Sequence, residues 1–380
     1  MHFNQPMLEA DTAVVGGGLV GMAIAYGLQR QGARVTVYDE GDDALRAARG
    51  NFGLVWIQGK GAQLPEYARW SRRSAALWPE FAAELLEYSG RDVELHQPGG
   101  LDYCLSEADA EATVARLQGL RDALDGDYPF EYLDAKAVRE LMPDVGPKVV
   151  GATFGPEDGH VNPLYLLHAL VRAFIVRGGQ IKINATVTEV QARGSDFLLR
   201  CAGQPDVAYG HVVLAAGHGN RKLAPSVGLR APVSPSRGQV LVTERLQRRL
   251  HYPSVQIRQV GEGAVQIGDS NERVGFDDST RPDVVASIAK RAVAIYPFLE
   301  RVRMVRSWAA LRVMSEDGYP IYDRSVVFPG AAVASCHSGV TLAAAHALEL
   351  APWLLRSGPA VEHSNAIRLE SFSAKRFSTS

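Results

Sequence analysis

The hydrophobic pattern at the start of the chain predicts a strand, a tight turn and a helix. Residues 12–15 form a short β-branched run, a cluster of glycines follows, and residues 22–31 are good helix formers that end at Gly32. A second β-branched run, residues 34–38, ends at Asp39. This order predicts a βαβ unit close to the first residue of the chain.

Four longer segments carry helical patterns. They cover residues 67–88, 106–124, 162–178 and 283–296. In the first of them Trp70, Trp78 and Phe81 recur at helical spacing, which predicts one buried face. We expect Ser106 and Asn162 to cap the second and third helices. The third helix is expected to bury a stripe made of Leu164, Leu167, Val171 and Phe174.

Strand-like runs fill much of the remaining sequence. They are predicted at residues 180–190, 211–215, 303–313 and 325–335, and residues 238–268 alternate β-rich runs with turns, as in an antiparallel sheet. A last helix is predicted from Ser338 to Leu355. We therefore predict an α/β fold in which a Rossmann-like parallel unit is interleaved with an α+β region built on a mostly antiparallel sheet.

A dinucleotide-binding motif lies in the first turn. Gly16, Gly18 and Gly21 have the GxGxxG spacing: the first makes the turn, the second admits a pyrophosphate, and the third lets helix and strand pack closely. The helix N-terminus offers unpaired N–H groups to the phosphates. Asp39 follows Gly21 by eighteen residues, where an acid binds a ribose hydroxyl. The motif predicts a nucleotide cofactor and leaves NAD and FAD open.

Several downstream stretches favour FAD over NAD. Residues 49–56 combine a small-residue turn with aromatic side chains, residues 186–188 offer strand backbone to an adenine, and residues 214–217 end a strand on small residues. Residues 336–341 precede an apolar helix, whose N-terminus would stabilise the negative charge of a reduced flavin. The alternative for this last segment is an ordinary helix capped by Ser338.

Composition narrows the class of protein further. The 380 residues are 46% hydrophobic and carry a formal net charge of -2, which excludes a disordered chain and gives no electrostatic case for nucleic-acid binding. Cys104, Cys201 and Cys336 lack the spacing of a metal or iron–sulfur site, so no metal is expected in this chain. Glycines interrupt the uncharged residues 12–29, so we expect no transmembrane segment and a cytoplasmic location.

The chain resembles the D-amino-acid-oxidase-like family of FAD oxidoreductases over nearly its whole length. Three segments carry this resemblance in order: GGGLVGMAIAYGLQRQGARVTVYDEG, SWAALRVMSEDGYPIYD and ASCHSGVTLAAAHA. RGNFGLVWIQGKG and CHSGVTLA further resemble the FAD-carrying subunits of heteromeric opine oxidases, hydrogen cyanide synthase and D-hydroxyproline dehydrogenases. Because CHSGVT differs from the cysteine motif of monomeric sarcosine oxidases, non-covalent FAD is implied.

The resemblance implies cofactor contacts at individual positions. Phosphate and ribose contacts fall on Gly16, Gly18, Gly21 and Asp39, and the family more often has Glu at the last of these. The remaining implied contacts are Asn51, Phe52, Gly53 and Leu54 near the isoalloxazine ring, Val187 at the adenine, and Gly339, Val340 and Thr341 at the pyrimidine carbonyl. The small residues Ala216 and Gly217, which end a predicted strand, are expected to allow close approach of the cofactor.

The resemblance also draws attention to two residues near the expected substrate, Arg312 and His337. Arg312 matches the arginine that binds the substrate carboxylate in the family, a task that suits the planar guanidinium. The family usually has Pro after it, where this chain has Val313. The alternative for Arg312 is a surface ion pair with Asp317 or Asp323. His337 is expected beside the flavin, with no proton transfer assigned to it.

The implied function is oxidation of the C–N bond of a carboxylate-bearing amine by hydride transfer to flavin N5, in the catalytic subunit of a heteromeric dehydrogenase. Opines such as octopine or nopaline are the first choice of substrate, followed by D-hydroxyproline and glycine. The expected partners are a second flavin subunit and an iron–sulfur subunit, which could hold the enzyme peripherally at the inner membrane. Two alternatives stay open: a monomeric glycine- or sarcosine-type oxidase that makes hydrogen peroxide, and a non-catalytic flavin-binding scaffold subunit.

We expect two discontinuous domains, because the α/β pattern is interrupted twice. Residues 8–60, 145–235 and 305–380 would form the FAD-binding domain. Residues 61–144 and 236–304 would form the domain for substrate and partner.

Overall fold

The computed structural model describes residues 11–41, 47–354 and 367–377. The helices are α1 Leu19–Arg30, α2 Pro65–Ser89, α3 Glu107–Ala123, α4 Ala135–Leu141, α5 Pro163–Val176, α6 Asn220–Leu223, α7 Pro282–Ile295, α8 Ala343–Ala345 and α9 Ala351–Leu354. A π-helical turn, His346–Leu350, joins the last two. Short 3₁₀ turns cover Gly217–Gly219, Ala224–Val227, Pro297–Arg301, Leu369–Phe372 and Ala374–Arg376.

In the described residues the strands form five sheets. The strands are β1 Thr12–Val15, β2 Val35–Tyr38, β3 Leu54–Val55, β4 Gly100–Cys104, β5 Glu131–Asp134, β6 Gly151–Gly155, β7 Gly159–His160, β8 Gln180–Lys182, β9 Val187–Arg193, β10 Asp196–Cys201, β11 Val207–Tyr209, β12 His211–Leu214, β13 Val233–Arg245, β14 Ile257–Gln259, β15 Ala264–Ile267, β16 Met304–Ser315, β17 Ile321–Arg324 and β18 Ala331–Ser335.

The predicted Rossmann-like unit is confirmed as a six-stranded sheet in the order β17-β18-β12-β1-β2-β8, parallel except for β17. All four residues of β1 are buried, because helices α1 and α5 cover one face of the sheet and strands β9–β11 with the turn Ala224–Val227 pack on the other. Val15 lies beside Leu214 on one side and Tyr38 on the other. The carboxyl ends of β12, β1 and β2 therefore meet at one edge, where ligands bind in folds of this type.

The predicted antiparallel sheet is also present, in the order β14-β15-β13-β16. Its long pair, β13 and β16, runs from Val233 opposite Ser315 to Thr243 opposite Met304. One face of the sheet packs on α7 through Ile257, Val265 and Ile267. The predicted boundary at residue 305 assigned most of β16 to the FAD-binding domain, but its pairing places it in the antiparallel sheet.

Smaller sheets complete the fold. Strands β4, β6 and β5 form an antiparallel sheet, β3 pairs with β7, and β9, β10 and β11 form a meander. The boundary at residue 145 assigned β6 to the FAD-binding domain, although β6 lies between β4 and β5. No helix in the part of the chain that the structure describes is long and apolar enough to cross a membrane.

Local predictions succeed at helix starts. The Ser106 hydroxyl accepts a hydrogen bond from the N–H of Asp109, and the Asn162 side chain accepts from Leu164 and Tyr165, so both predicted caps are confirmed. The predicted stripe on α5 is wrong at Leu164, whose side chain is 53% exposed. Leu166 and Leu170 take the buried positions instead, because α5 turns a different face to α1 than the spacing implied.

Three strand and helix predictions need correction. Residues 180–190 form two strands in two different sheets, because β8 joins the parallel sheet and β9 the meander. Of the predicted strand at residues 325–335 only Ala331–Ser335 is a strand, β18, and residues 325–330 form the turn that joins it to β17. The predicted helix from Ser338 to Leu355 is α-helical only at Ala343–Ala345 and Ala351–Leu354, with the π-helical turn between them. Its last predicted residue, Leu355, lies outside the described residues. The Ser338 hydroxyl accepts from the Lys60 and Tyr67 side chains and not from a backbone N–H.

Candidate active site

A cavity of about 600 Å³ opens at the carboxyl ends of β12, β1 and β2. Among the described residues, the predicted site residues that line it are Gly16, Gly18, Asp39, Asn51, Val187, Ala216, Gly217, His337 and Gly339. Those that do not line it are Gly21, Phe52, Gly53, Leu54, Arg312, Val340 and Thr341. The fold thus brings distant segments of the chain together around one cavity.

The three glycines of the first turn have different surroundings. Gly16 has φ +110, and a methyl group on it would overlap the carbonyl oxygen of Ala215. A methyl group on Gly21 would overlap the carbonyl oxygen of Gly16. At Gly18 the same methyl group would meet nothing within 4 Å. Gly16 and Gly21 therefore build the turn, whereas Gly18 leaves its backbone facing open space at the N-terminus of α1.

Asp39 joins the glycine turn to the cavity. Its carboxylate accepts hydrogen bonds from the N–H groups of Gly17 at 2.7 Å and Gly41 at 2.8 Å. The residue is 9% exposed and borders the cavity. The carboxylate therefore fixes the backbone of the glycine turn through these two hydrogen bonds, and it faces the cavity beside that turn.

The predicted ring-binding loop follows β2 and is fixed at its centre. Asn51 borders the cavity, and its side-chain oxygen accepts a hydrogen bond from Gly53 at 2.7 Å. The Gly53 carbonyl accepts from the Val161 N–H at 2.8 Å, and Leu54 pairs with His160 across β3 and β7. Of the four predicted residues in this loop only Asn51 lines the cavity. Gly53 and Leu54 instead hold the loop against β7 and Val161.

Arg258 lies behind the same loop and was not identified from the sequence. Its side chain is 1% exposed and donates to Gln266 at 3.0 Å and to the Val161 carbonyl at 2.9 Å. The guanidinium carbon lies 5.7 Å from the centre of the Phe52 ring. One terminal nitrogen, Nη2, has no partner among the described residues. Burial of this cation lowers its pKa to about 9.

The turn at residues 336–341 forms the opposite wall. Thr341 is held away from the cavity: its hydroxyl donates to the Leu54 carbonyl at 3.2 Å and accepts from the Trp56 N–H at 3.2 Å. Val340 is 1% exposed and packs into the core. No described residue accepts a hydrogen bond from the backbone N–H of Gly339 or Val340. The turn therefore offers free backbone donors beside the cavity, although it is not the start of a regular helix.

Arg312 lies near the end of β16, opposite Ser236 of β13. Its Nη1 donates to the Ser270 carbonyl at 2.9 Å, and its Nη2 forms an ion pair with Asp269. The side chain is 27% exposed. Its positive charge lowers the pKa of His337, which lines the cavity. Arg312 is therefore oriented by the loop after β15 and lies on the His337 side of the cavity.

The ion pairs considered as alternatives for Arg312 are wrong. Asp317 pairs with Arg376 at 2.7 Å, and Asp323 accepts hydrogen bonds from Ser373 and Ala374. The partner is instead Asp269, which is far from both in sequence and reaches Arg312 across the sheet.

His337 and Cys336 line the cavity in uncharged forms. Removal from water lowers the pKa of His337 to about 3, and the positive charges of Lys60 and Arg312 act in the same direction. Burial raises the pKa of the Cys336 thiol to about 12. A neutral imidazole and a protonated thiol make poor candidates for a charged acid and a nucleophile at neutral pH.

Other cavity residues were missed by the sequence analysis. His218 lines the cavity, and its ring meets that of Phe276 edge-on at 5.4 Å between centres. Lys222 lies on α6 at the same side. The sequence did place His218 directly after Gly217, but a single histidine after a strand is too common to indicate a site residue. No cluster of His, Cys, Asp or Glu within the described ranges is arranged to hold a metal ion.

Two buried histidines should make the fold acid-sensitive. Burial lowers the pKa of His160 to about 2 and that of His346 to about 3, so between pH 3 and 6.5 the unfolded chain binds more protons than the folded one. The free energy of unfolding should therefore fall below pH 6.5, by about 1.4 kcal/mol per histidine and pH unit. His346→Gln should reduce that slope by about one proton, measured by denaturant unfolding from pH 7 to 5. An unchanged slope would contradict this assignment.

Comparison with known proteins agrees with this geometry. The model of a family described as FAD dependent oxidoreductase (DAO) matches residues 11–353. One of the subunits of opine oxidase from Agrobacterium tumefaciens (strain Ach5) is 43% identical over 98% of this chain and 98% of that protein, and its Rhizobium meliloti counterpart is likewise 43% identical. The solved glycine oxidase of Geobacillus kaustophilus has a TM-score of 0.86 at 26% identity, covering 96% of this chain and 98% of that one. The resemblance read from the sequence is confirmed: the chain belongs to the FAD dependent oxidoreductase (DAO) family, and its cofactor is FAD.

Proposed function

We propose that FAD lies along the cavity, with its ADP part at the β1 edge and its ring between Asn51 and the turn at residues 336–341. The open space over Gly18 suits a pyrophosphate, and the helix N-terminus beside it favours negative charge. The free N–H groups of Gly339 and Val340 suit a carbonyl of the flavin ring. The protonated thiol of Cys336 supports FAD bound without a covalent link.

Arg312 is the observation on which the proposed substrate class rests. Its guanidinium lies close enough to His337, a cavity residue, to lower the pKa of that imidazole, and the contacts to Ser270 and Asp269 use only part of its five N–H donors. A substrate carboxylate can therefore be bound by the remaining donors, which orients the neighbouring carbon. The relatives at 43% identity are named as opine oxidase subunits, so we propose an opine, such as octopine or nopaline, as substrate.

The proposed reaction oxidises the C–N bond of that amine. Bound FAD, held by the glycine turn, Asn51 and the turn at residues 336–341, would supply the two-electron acceptor, its N5 atom, for a hydride from the carbon next to nitrogen. In the substrate, the C–H bond breaks as the nitrogen lone pair forms C=N, and water then converts the iminium into a carbonyl compound and an amine with release of a proton. His337 takes no proton in this scheme, because its low pKa leaves it a weak base.

We propose that the chain works as a dehydrogenase subunit and passes its electrons to partner subunits. The relatives are named as one subunit of a larger enzyme, and this chain has too few cysteines for an iron–sulfur cluster of its own. The partners would be a second flavin subunit and an iron–sulfur subunit.

Reoxidation of the flavin tests this proposal. With an opine as reductant, we expect turnover with an artificial dye to exceed turnover with oxygen by at least about tenfold, because a subunit that hands electrons to a partner needs no oxygen reactivity. The two rates are measured on the same preparation, with hydrogen peroxide assayed in parallel. Equal rates and stoichiometric peroxide would instead support the monomeric oxidase of the glycine or sarcosine type.

A further inference from the structure

Lys60 belongs to the sequence segment GNFGLVWIQGKG, yet no step of the proposed reaction uses it. Its ammonium group donates to the Ser338 hydroxyl at 2.5 Å and to the Tyr67 hydroxyl at 3.1 Å. Ser338 lies between His337 and Gly339, both of which line the cavity. Lys60 is therefore attached to the back of the wall that is proposed to face the flavin ring.

The hydrogen bonds at Ser338 have a defined direction. Ser338 accepts from Lys60 and also from the Tyr67 hydroxyl, which lies at 2.7 Å. Its own hydrogen is then directed to Nε2 of His337, at 3.1 Å. This network holds His337 as the neutral tautomer protonated at Nδ1. The four side chains thus form one connected unit that ends at the cavity.

The charge of Lys60 is not neutralised locally. No carboxylate of the described residues forms an ion pair with it, and its other neighbour is the Tyr67 ring, with the nitrogen 5.2 Å from the ring centre. Its positive charge contributes to the low pKa of His337 and opposes the rise in the pKa of Cys336. The field of Lys60 therefore reaches side chains that line the cavity.

We infer that Lys60 is a positioning residue that holds the turn at residues 336–341 and favours the reduced cofactor through its uncompensated charge. Two-electron reduction of FAD at neutral pH takes up two electrons and one proton and leaves one negative charge on the ring system. A fixed cation near the ring stabilises that charge without reorganisation. The inference rests on the proposed placement of FAD and is independent of the proposed substrate.

The test compares three proteins without any substrate. Lys60→Gln keeps a donor for Ser338 and Tyr67 but removes the charge, whereas Lys60→Arg keeps both. The two-electron midpoint potential of bound FAD is measured by dye-coupled reductive titration, with the FAD-to-protein ratio and the thermal midpoint as controls. We expect Lys60→Gln to disfavour reduction at least tenfold, which is a fall of about 30 mV. Lys60→Arg should stay near the unmodified protein.

Two outcomes would overturn the inference. One is an unchanged potential in Lys60→Gln with FAD still bound. The other is a potential in Lys60→Arg as low as in Lys60→Gln, since that would assign the effect to geometry and not to charge. If Lys60→Gln fails to retain FAD, Lys60→Met, which also removes the charge, takes its place in the comparison and must show the same fall in potential. Failure of opines to reduce the flavin would leave this comparison unaffected.

Discussion

Replacing Arg312 with methionine should lower kcat/KM for a carboxylate-bearing amine by about 100-fold or more while FAD stays bound. Methionine keeps the apolar stem but removes the guanidinium, so the substrate carboxylate loses its charge-assisted hydrogen bonds, a cost of about 3 kcal/mol. The measurement is steady-state kinetics with an artificial acceptor, together with the visible spectrum of the bound flavin. Arg312→Lys should be intermediate, because an ammonium keeps the charge but not the planar pair of donors.

Arg303 offers a matched control for this variant. It is also an arginine paired with a carboxylate, Glu244, at 2.7 Å, but it is 83% exposed and lies before β16. Arg303→Met should leave kcat/KM unchanged. Loss of activity in both variants, or full activity in Arg312→Met, would contradict the assignment of Arg312 to the substrate. Loss of activity in Arg312→Met with FAD retained also speaks against a non-catalytic scaffold subunit.

Replacing Gly18 with alanine should weaken FAD binding by about 10- to 100-fold and leave the stability of the FAD-free protein within about 1 kcal/mol. The added methyl group meets no protein atom within 4 Å, and the backbone at Gly18, with φ -75, suits alanine. It would fill space proposed for the pyrophosphate. FAD affinity is measured by fluorescence titration, and stability by denaturant unfolding of the FAD-free protein.

Gly21→Ala separates a cofactor effect from a folding effect. A methyl group there would overlap the Gly16 carbonyl inside the turn, so we expect the FAD-free protein itself to lose about 3 kcal/mol of stability. Wild-type FAD affinity in Gly18→Ala would place the pyrophosphate elsewhere.

The parallel part of the fold was predictable because its signals are local. The strand, turn and helix at residues 12–30 and the caps at Ser106 and Asn162 each depend on a few neighbouring residues, and the structure agrees with them. The resemblance to a family then supplied the order of the later segments. Neither the local signals nor the resemblance predicts the register of β16 against β13, because this register depends on residues about seventy positions apart.

The site interactions that the sequence did not predict share one physical cause. Arg258 is a charged residue in a strand, a pattern that normally indicates exposure, and only tertiary packing under Phe52 and Gly53 buries it. Asp269 reaches Arg312 from a loop more than forty residues away. Ser338 is a residue type that often caps a helix, but its hydroxyl instead accepts hydrogen bonds from the Lys60 and Tyr67 side chains. Each of these interactions is decided by distant parts of the chain.

The proposed oxidation of an opine by this FAD protein is tested most directly by an anaerobic reductive titration. The visible spectrum of the purified FAD-bound chain is recorded while octopine, nopaline, D-hydroxyproline and glycine are added in turn. We predict that an opine bleaches the flavin band without any partner subunit or oxygen present. A flavin band that none of the four compounds bleaches, or that glycine alone bleaches, would contradict the account.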